Sequence, residues 1–225
     1  MHEFFPLLLS SFFFLFWGIL FLYSKQTRKE QLFMSFLGLL LSPALLLTSI
    51  KIQPPQTILP VVGLTEFLFL FAFCGVAAVI YQVIIGNRLV FIHRKRLILP
   101  SRMIHWISHL IILLGIWIII SLVILLLFPL NFSNAFLIAT LFIGIYIIAD
   151  RHDLLLDALV SGVFLSLLVF ALEYVFRALL FSTSTEITID NLLNPIASNN
   201  ILWVGIVGFT IGPLYEYVKH LRFKV

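Results

Sequence analysis

Charge is what this sequence has least of. Asp, Glu, Lys and Arg make up 11% of its 225 residues, against roughly 25% in a soluble domain. With 62% hydrophobic residues and a mean hydropathy of +1.15, the chain has too little polar surface to cover a fold in water. A soluble globule is excluded, and lipid is the solvent this composition fits. Alternating polar and apolar positions are also missing. A membrane-spanning chain must satisfy its backbone polar groups internally, as helices or as a closed barrel. Unbroken apolar runs of about 20 residues, without a period of two, decide for helices.

Other absences narrow the function. One cysteine, Cys74, lies inside an apolar run and excludes an internal disulfide. No glycine-rich phosphate loop and no nucleophile elbow occurs. The six histidines show no ligand spacing with carboxylates or cysteine, so no metal cluster is indicated. The seventh apolar run lacks lysine, which removes a retinal Schiff base. The first run, 4–23, has no basic residue before it and no small-residue cleavage site after it, unlike a signal peptide. The pI of about 9.4 would suggest nucleic acid in a soluble protein. Here the basic residues sit in short loops, where orienting helices accounts for them and no nucleic-acid partner is expected.

What is present predicts an all-α polytopic bundle of about seven transmembrane helices: 4–23, 32–50, 60–85, 106–129, 134–149, 155–181 and 200–218. Of the fourteen Lys and Arg, twelve fall in the odd-numbered loops and the C-terminal tail. Lys51 alone lies on the other side, and Arg177 lies within the sixth run. The positive-inside bias therefore predicts an N-terminus outside and a C-terminus in the cytoplasm, in a cell inner membrane. Reporter fusions after Arg96 and Lys224 should score cytoplasmic, and fusions after Gln56 and Thr188 outside. A cytoplasmic score at Gln56 would overturn the seven-span topology.

An internal repeat is suggested at an offset of 134 residues. Tyr81-Gln82 then lies over Tyr215-Glu216, Arg88 over Arg222, and Glu66 to Phe69 over Asn200 to Trp203. On that reading residues 1–90 and 134–225 are two parallel three-helix repeats within one membrane domain, and helix 106–129 connects them. The other reading is chance similarity between two Phe-, Leu- and Ile-rich helices.

An ionisable side chain within a membrane span costs roughly 2.5–3.5 kcal/mol on insertion scales. Glu66, Asp157, Glu173 and Glu216 each need an account for that reason. Glu66, among Phe67, Phe69, Phe71 and Phe73, is expected to stay protonated through desolvation and to serve as a proton donor. The alternative is a glutamate that only hydrogen-bonds across helices. Glu173 and Arg177, four apart, are expected to neutralise one another. Glu216, beside Lys219 and His220, is expected in solvated ion pairs. Gly205, Gly208 and Gly212 share a stripe suited to close helix packing. Asp150, Asp153 and Asp157 fall within about 60° of one another if the segment is helical, each residue turning about 100°. That face would suit Mg²⁺ held against a diphosphate. The competing account makes Asp150 and Asp153 the cap and first turn of the sixth helix.

Two families resemble parts of the chain. The spacing of Asp150, Asp153 and Asp157 is similar to the first aspartate motif of UbiA-type prenyltransferases, with Ala149 where that motif has asparagine. Gln53-Pro54-Pro55-Gln56 followed by Gly63 to Phe73 resembles the membrane lycopene cyclase domain family. The second half of that pattern would run from Asn199-Asn200-Ile201-Leu202-Trp203 into Gly212-Pro213-Leu214-Tyr215-Glu216. The resemblance implies a six- or seven-helix bundle and an acid that protonates a polyene end without a cofactor. Carried onto this sequence, it makes Glu66 the catalytic acid and Phe67, Phe69, Phe73, Asn199, Asn200 and Trp203 the substrate-binding set. The paired acids of the first motif are here Thr65-Glu66, and those of the second Asn199-Asn200. Three functions follow: an enzyme or binder acting on a polyene isoprenoid, a Mg²⁺-dependent prenyltransferase, or a non-enzymatic membrane subunit or carrier. Membrane lipid or an isoprenoid is the expected partner.

Overall fold

The computed structural model describes residues 4–49, 64–85, 89–91, 102–181 and 195–223, with side chains described in 9–42, 67–85, 106–175 and 200–221. These residues form an all-α bundle of seven long helices. They are α1 (Phe4–Tyr23), α2 (Arg28–Ser49), α3 (Leu64–Ile85), α4 (Arg102–Leu127), α5 (Phe132–Asp150), α6 (Leu155–Phe181) and α7 (Pro195–Ile211). A short α8 (Leu214–Lys219) continues α7 beyond Gly212 and Pro213, and a single 3₁₀ turn, His152–Leu154, joins α5 to α6. Five stretches are long and apolar enough to cross a membrane: Phe67–Ile85, Trp106–Leu127, Phe132–Asp150, His152–Val175 and Asn200–Lys219. The last of these crosses the α7–α8 break. Large apolar side chains such as Leu15, Leu40, Ile111, Leu126 and Leu167 face outward, as a hydrocarbon surround requires.

α3 is the central post. Every residue from Ala72 to Gln82 is buried, because α1, α2, α6 and α7 all pack on this helix. Small residues set the closest approaches. At Gly38 an added Cβ would come 2.7 Å from the Leu70 carbonyl oxygen, and at Gly162 it would come 2.9 Å from that of Gly205. These two contacts bring α2 against α3 and α6 against α7. Cross-helix hydrogen bonds tie further helices to these pairs, α1 to α2 and α7 to α5. Trp17 Nε1 donates to Ser35 Oγ at 2.9 Å, and Thr210 Oγ1 donates to the Thr140 carbonyl at 2.9 Å.

The α1–α2 turn is closed by the chain's own donors. The last carbonyls of a helix have no partner within it. Here Arg28 Nε donates to the Phe21 carbonyl at 2.7 Å, and one turn earlier Gln31 Nε2 adds a bond to the Trp17 carbonyl at 2.8 Å. α8 ends at His220, whose φ of 51° is left-handed, and its N–H returns to the Tyr217 carbonyl at 3.2 Å. That reversal starts β2 (Leu221–Phe223), which pairs antiparallel with β1 (Leu89–Phe91) just beyond α3. Leu89 faces Phe223, and Phe91 faces Leu221. The ribbon joins the ends of α3 and α8 and marks one end of the bundle.

Candidate functional site

Polar chemistry gathers at the ribbon end. Glu30 is the third residue of α2, Gln82 lies in the last turn of α3, Asp157 is the third residue of α6, and Glu216 lies in α8. All four are buried, Asp157 and Glu216 completely. The Gln82 amide spends both of its protons here. Nε2 donates at 2.7 Å to Glu30 Oε2 and at 2.7 Å to Glu216 Oε1. One amide thus holds the Glu30 and Glu216 carboxyls side by side. Asp157 accepts from Ser161 Oγ at 3.2 Å and interacts electrostatically with Glu30 and Glu216. One oxygen on each of Glu30, Asp157 and Glu216 is buried with no donor among the described residues.

The basic residues nearby are engaged elsewhere. Arg151 donates to the main-chain carbonyls of Glu216, at 3.2 Å, and Leu221, at 2.6 Å, and forms a salt bridge with Asp153 at 2.5 Å. It is the clasp between the α5–α6 turn and the α8–ribbon junction. Lys219 Nζ hydrogen-bonds Tyr215 at 3.0 Å and lies over the rings of Phe33, Trp106 and Tyr215, 4.5–5.4 Å from their centroids. This corrects the expectation for Glu216. It is not in a solvated pair with its sequence neighbours but inside the bundle, bound to Gln82.

The three-aspartate face is corrected as well. α5 ends at Asp150, and Arg151 at φ −138°, ψ 86° breaks the helix before the 3₁₀ turn. The 100° rotation per residue therefore does not carry across the segment. Asp150 is exposed, Asp153 is taken by Arg151, and Asp157 points into the buried cluster. Among the described residues no group of three His, Cys, Asp or Glu side chains is placed to hold a metal ion.

Aromatic rings gather toward the other end of α3. Phe69 and Phe73 stack with centroids 5.5 Å apart, and Phe13 of α1 meets them at 5.2 and 5.7 Å. Trp203 of α7 closes the group, 6.2 Å from Phe73. Phe69, Phe73 and Trp203, all named from the sequence, are thus brought together, and Phe13, which sequence reasoning missed, joins them. Phe67 is half-buried. Position 66 shares the α3 stripe of Phe69 and Phe73, three and seven residues on. The side chains of Glu66 and Asn199 lie outside the described residues.

Asn200, one turn before Trp203, has a different partner from any expected. Its Nδ2 donates to Glu173 Oε1 at 2.9 Å. Glu173 is 5% exposed, and its Oε2 has no hydrogen-bond partner among the described residues. The Arg177 side chain, its expected counter-ion, lies outside them. On the flank of α5, α6 and α7 an open, apolar groove of about 360 Å³ runs past Leu159, Gly162, Ser166, Gly205 and Phe209.

Comparison of the chain with protein-family models, curated proteins and solved structures finds no match in any of the three.

Proposed function

We propose that this is an inner-membrane protein that binds a polyene isoprenoid within the bundle and acts on it by proton transfer from Glu66. The observation that carries this reading is the ring group Phe13, Phe69, Phe73 and Trp203, which lies along the stripe of α3 that begins at position 66. A protonated polyene is a carbocation. Aromatic faces within about 6 Å attract positive charge, most strongly where water is excluded. No cofactor enters such chemistry, because adding and losing a proton leaves the oxidation state unchanged. The resemblance to membrane lycopene cyclase domains supplies the acid's position.

The same reading takes the chain as two parallel halves, α1–α3 and α5–α8, around α4. It is supported by Gln82 bonding to Glu216, its counterpart at the 134-residue offset, and by Leu89 pairing with Phe223 at that offset.

The test is to purify the protein from membranes containing acyclic polyenes and identify the extracted lipid by mass spectrometry. A stoichiometric polyene or cyclised isomer is expected. Phospholipid alone, at the level carried by any bundle of this size, would reject the proposal in favour of a packing subunit.

A further inference from the structure

Three helices each carry two polar groups sixteen residues apart: Glu66 and Gln82 on α3, Asp157 and Glu173 on α6, Asn200 and Glu216 on α7–α8. At 1.5 Å per residue that interval is about 24 Å. Gln82 and Glu216 are joined by a hydrogen bond, with Asp157 beside them, so one member of each pair lies at the ribbon end. Positions 66, 173 and 200 therefore lie at a second level, toward the other end of the bundle. The Asn200–Glu173 hydrogen bond shows two of them meeting there. Trp203, one turn below Asn200, touches Phe73 on the stripe of position 66.

From this placement we infer that Glu173, oriented by Asn200, is the proton acceptor of the site and supplies the carboxyl that Asn199-Asn200 lacks. The inference rests on the reading of the protein as a polyene-protonating enzyme. Glu66 gives its proton to the terminal double bond, and the neighbouring double bond attacks the resulting cation to close a ring. The new ring cation then loses a proton from the adjacent carbon to Glu173 Oε2, which restores a double bond. One proton is added and one removed, so the product is an isomer and no oxidant or reductant is used. The geometry fits an acceptor. Oε1 is held by an amide N–H, which supports negative charge, while Oε2 is buried without a donor among the described residues.

A tertiary amine built on an isoprenoid chain, protonated at neutral pH, stands in for the ring cation. Its affinity is compared with that of a neutral acyclic polyene of the same length, for the wild-type protein in detergent and for Glu173→Gln. Glutamine keeps the contact with Asn200 but carries no charge. The amine should bind at least tenfold more weakly to the variant, while the neutral polyene changes less than twofold. Asn200→Ala, at an exposed position, provides a second variant if the first does not fold, and should weaken the amine about threefold. Equal amine binding by wild type and variants, with the polyene still bound, would overturn the role of Glu173 and leave the parent reading standing. Failure of the wild-type protein to bind either compound would overturn both.

Discussion

Glu66→Gln should lower conversion of an acyclic polyene by about 10²–10⁴-fold, the usual contribution of a general acid. Glutamine matches glutamate in shape and can keep its hydrogen bonds, but it has no acidic proton to give. The loss should therefore appear as missing product and not as missing protein. Membranes from a polyene-accumulating host, with and without the variant, would be extracted and separated by chromatography. Alongside this, the thermal midpoint of purified Glu66→Gln should stay within a few degrees of wild type. Glu66→Asp retains the acid one methylene further back and should recover part of the activity. Product formation by Glu66→Gln at the wild-type level would remove this residue as the donor.

The largest loss of stability is expected at the other end of α3. Gln82→Leu removes the amide that reaches both Glu30 and Glu216. Each carboxyl would lose a donor while remaining buried. An unsatisfied buried polar group costs about 1–3 kcal/mol, so two stranded together should cost about 2–6 kcal/mol. Glu216→Gln is the informative contrast. An amide there can still meet Gln82, and it removes one of three neighbouring carboxyls, so the cost should be small or reversed in sign. Thermal unfolding in detergent separates the two. Equal destabilisation by both variants would mean that Gln82 contributes packing alone.

The helices were legible because a bilayer imposes a simple rule. Apolar stretches of the right length must be helical, and runs such as 106–129 and 155–181 have no competing pattern. The candidate site was legible only where its residues follow helical periodicity or the suggested repeat. Phe69 and Phe73 share a stripe by periodicity, and Trp203 entered through the repeat. Glu216 was misread because its sequence neighbours, Lys219 and His220, suggested water and counter-charge. Lys219 instead turns to the rings of Phe33, Trp106 and Tyr215, contacts made by other helices and invisible to local spacing. Glu30 was hidden in a basic loop segment. The three-aspartate face failed for a conformational reason, since Arg151 leaves the helix to reach carbonyls 65 and 70 residues further along the chain.

The ribbon has a consequence for biosynthesis. Leu89–Phe91 leaves the ribosome long before Leu221–Phe223, its antiparallel partner. Glu216, which takes half of Gln82's donation, also follows it by 134 residues. Until they are made, the nascent protein holds Glu30 and Gln82 at an unclosed end, with the first strand unpaired. Closure therefore waits until residues 214–223 have been made. A chain stopped before Leu214 would present to the cell's membrane quality control a bundle whose acids and strand edge are still open.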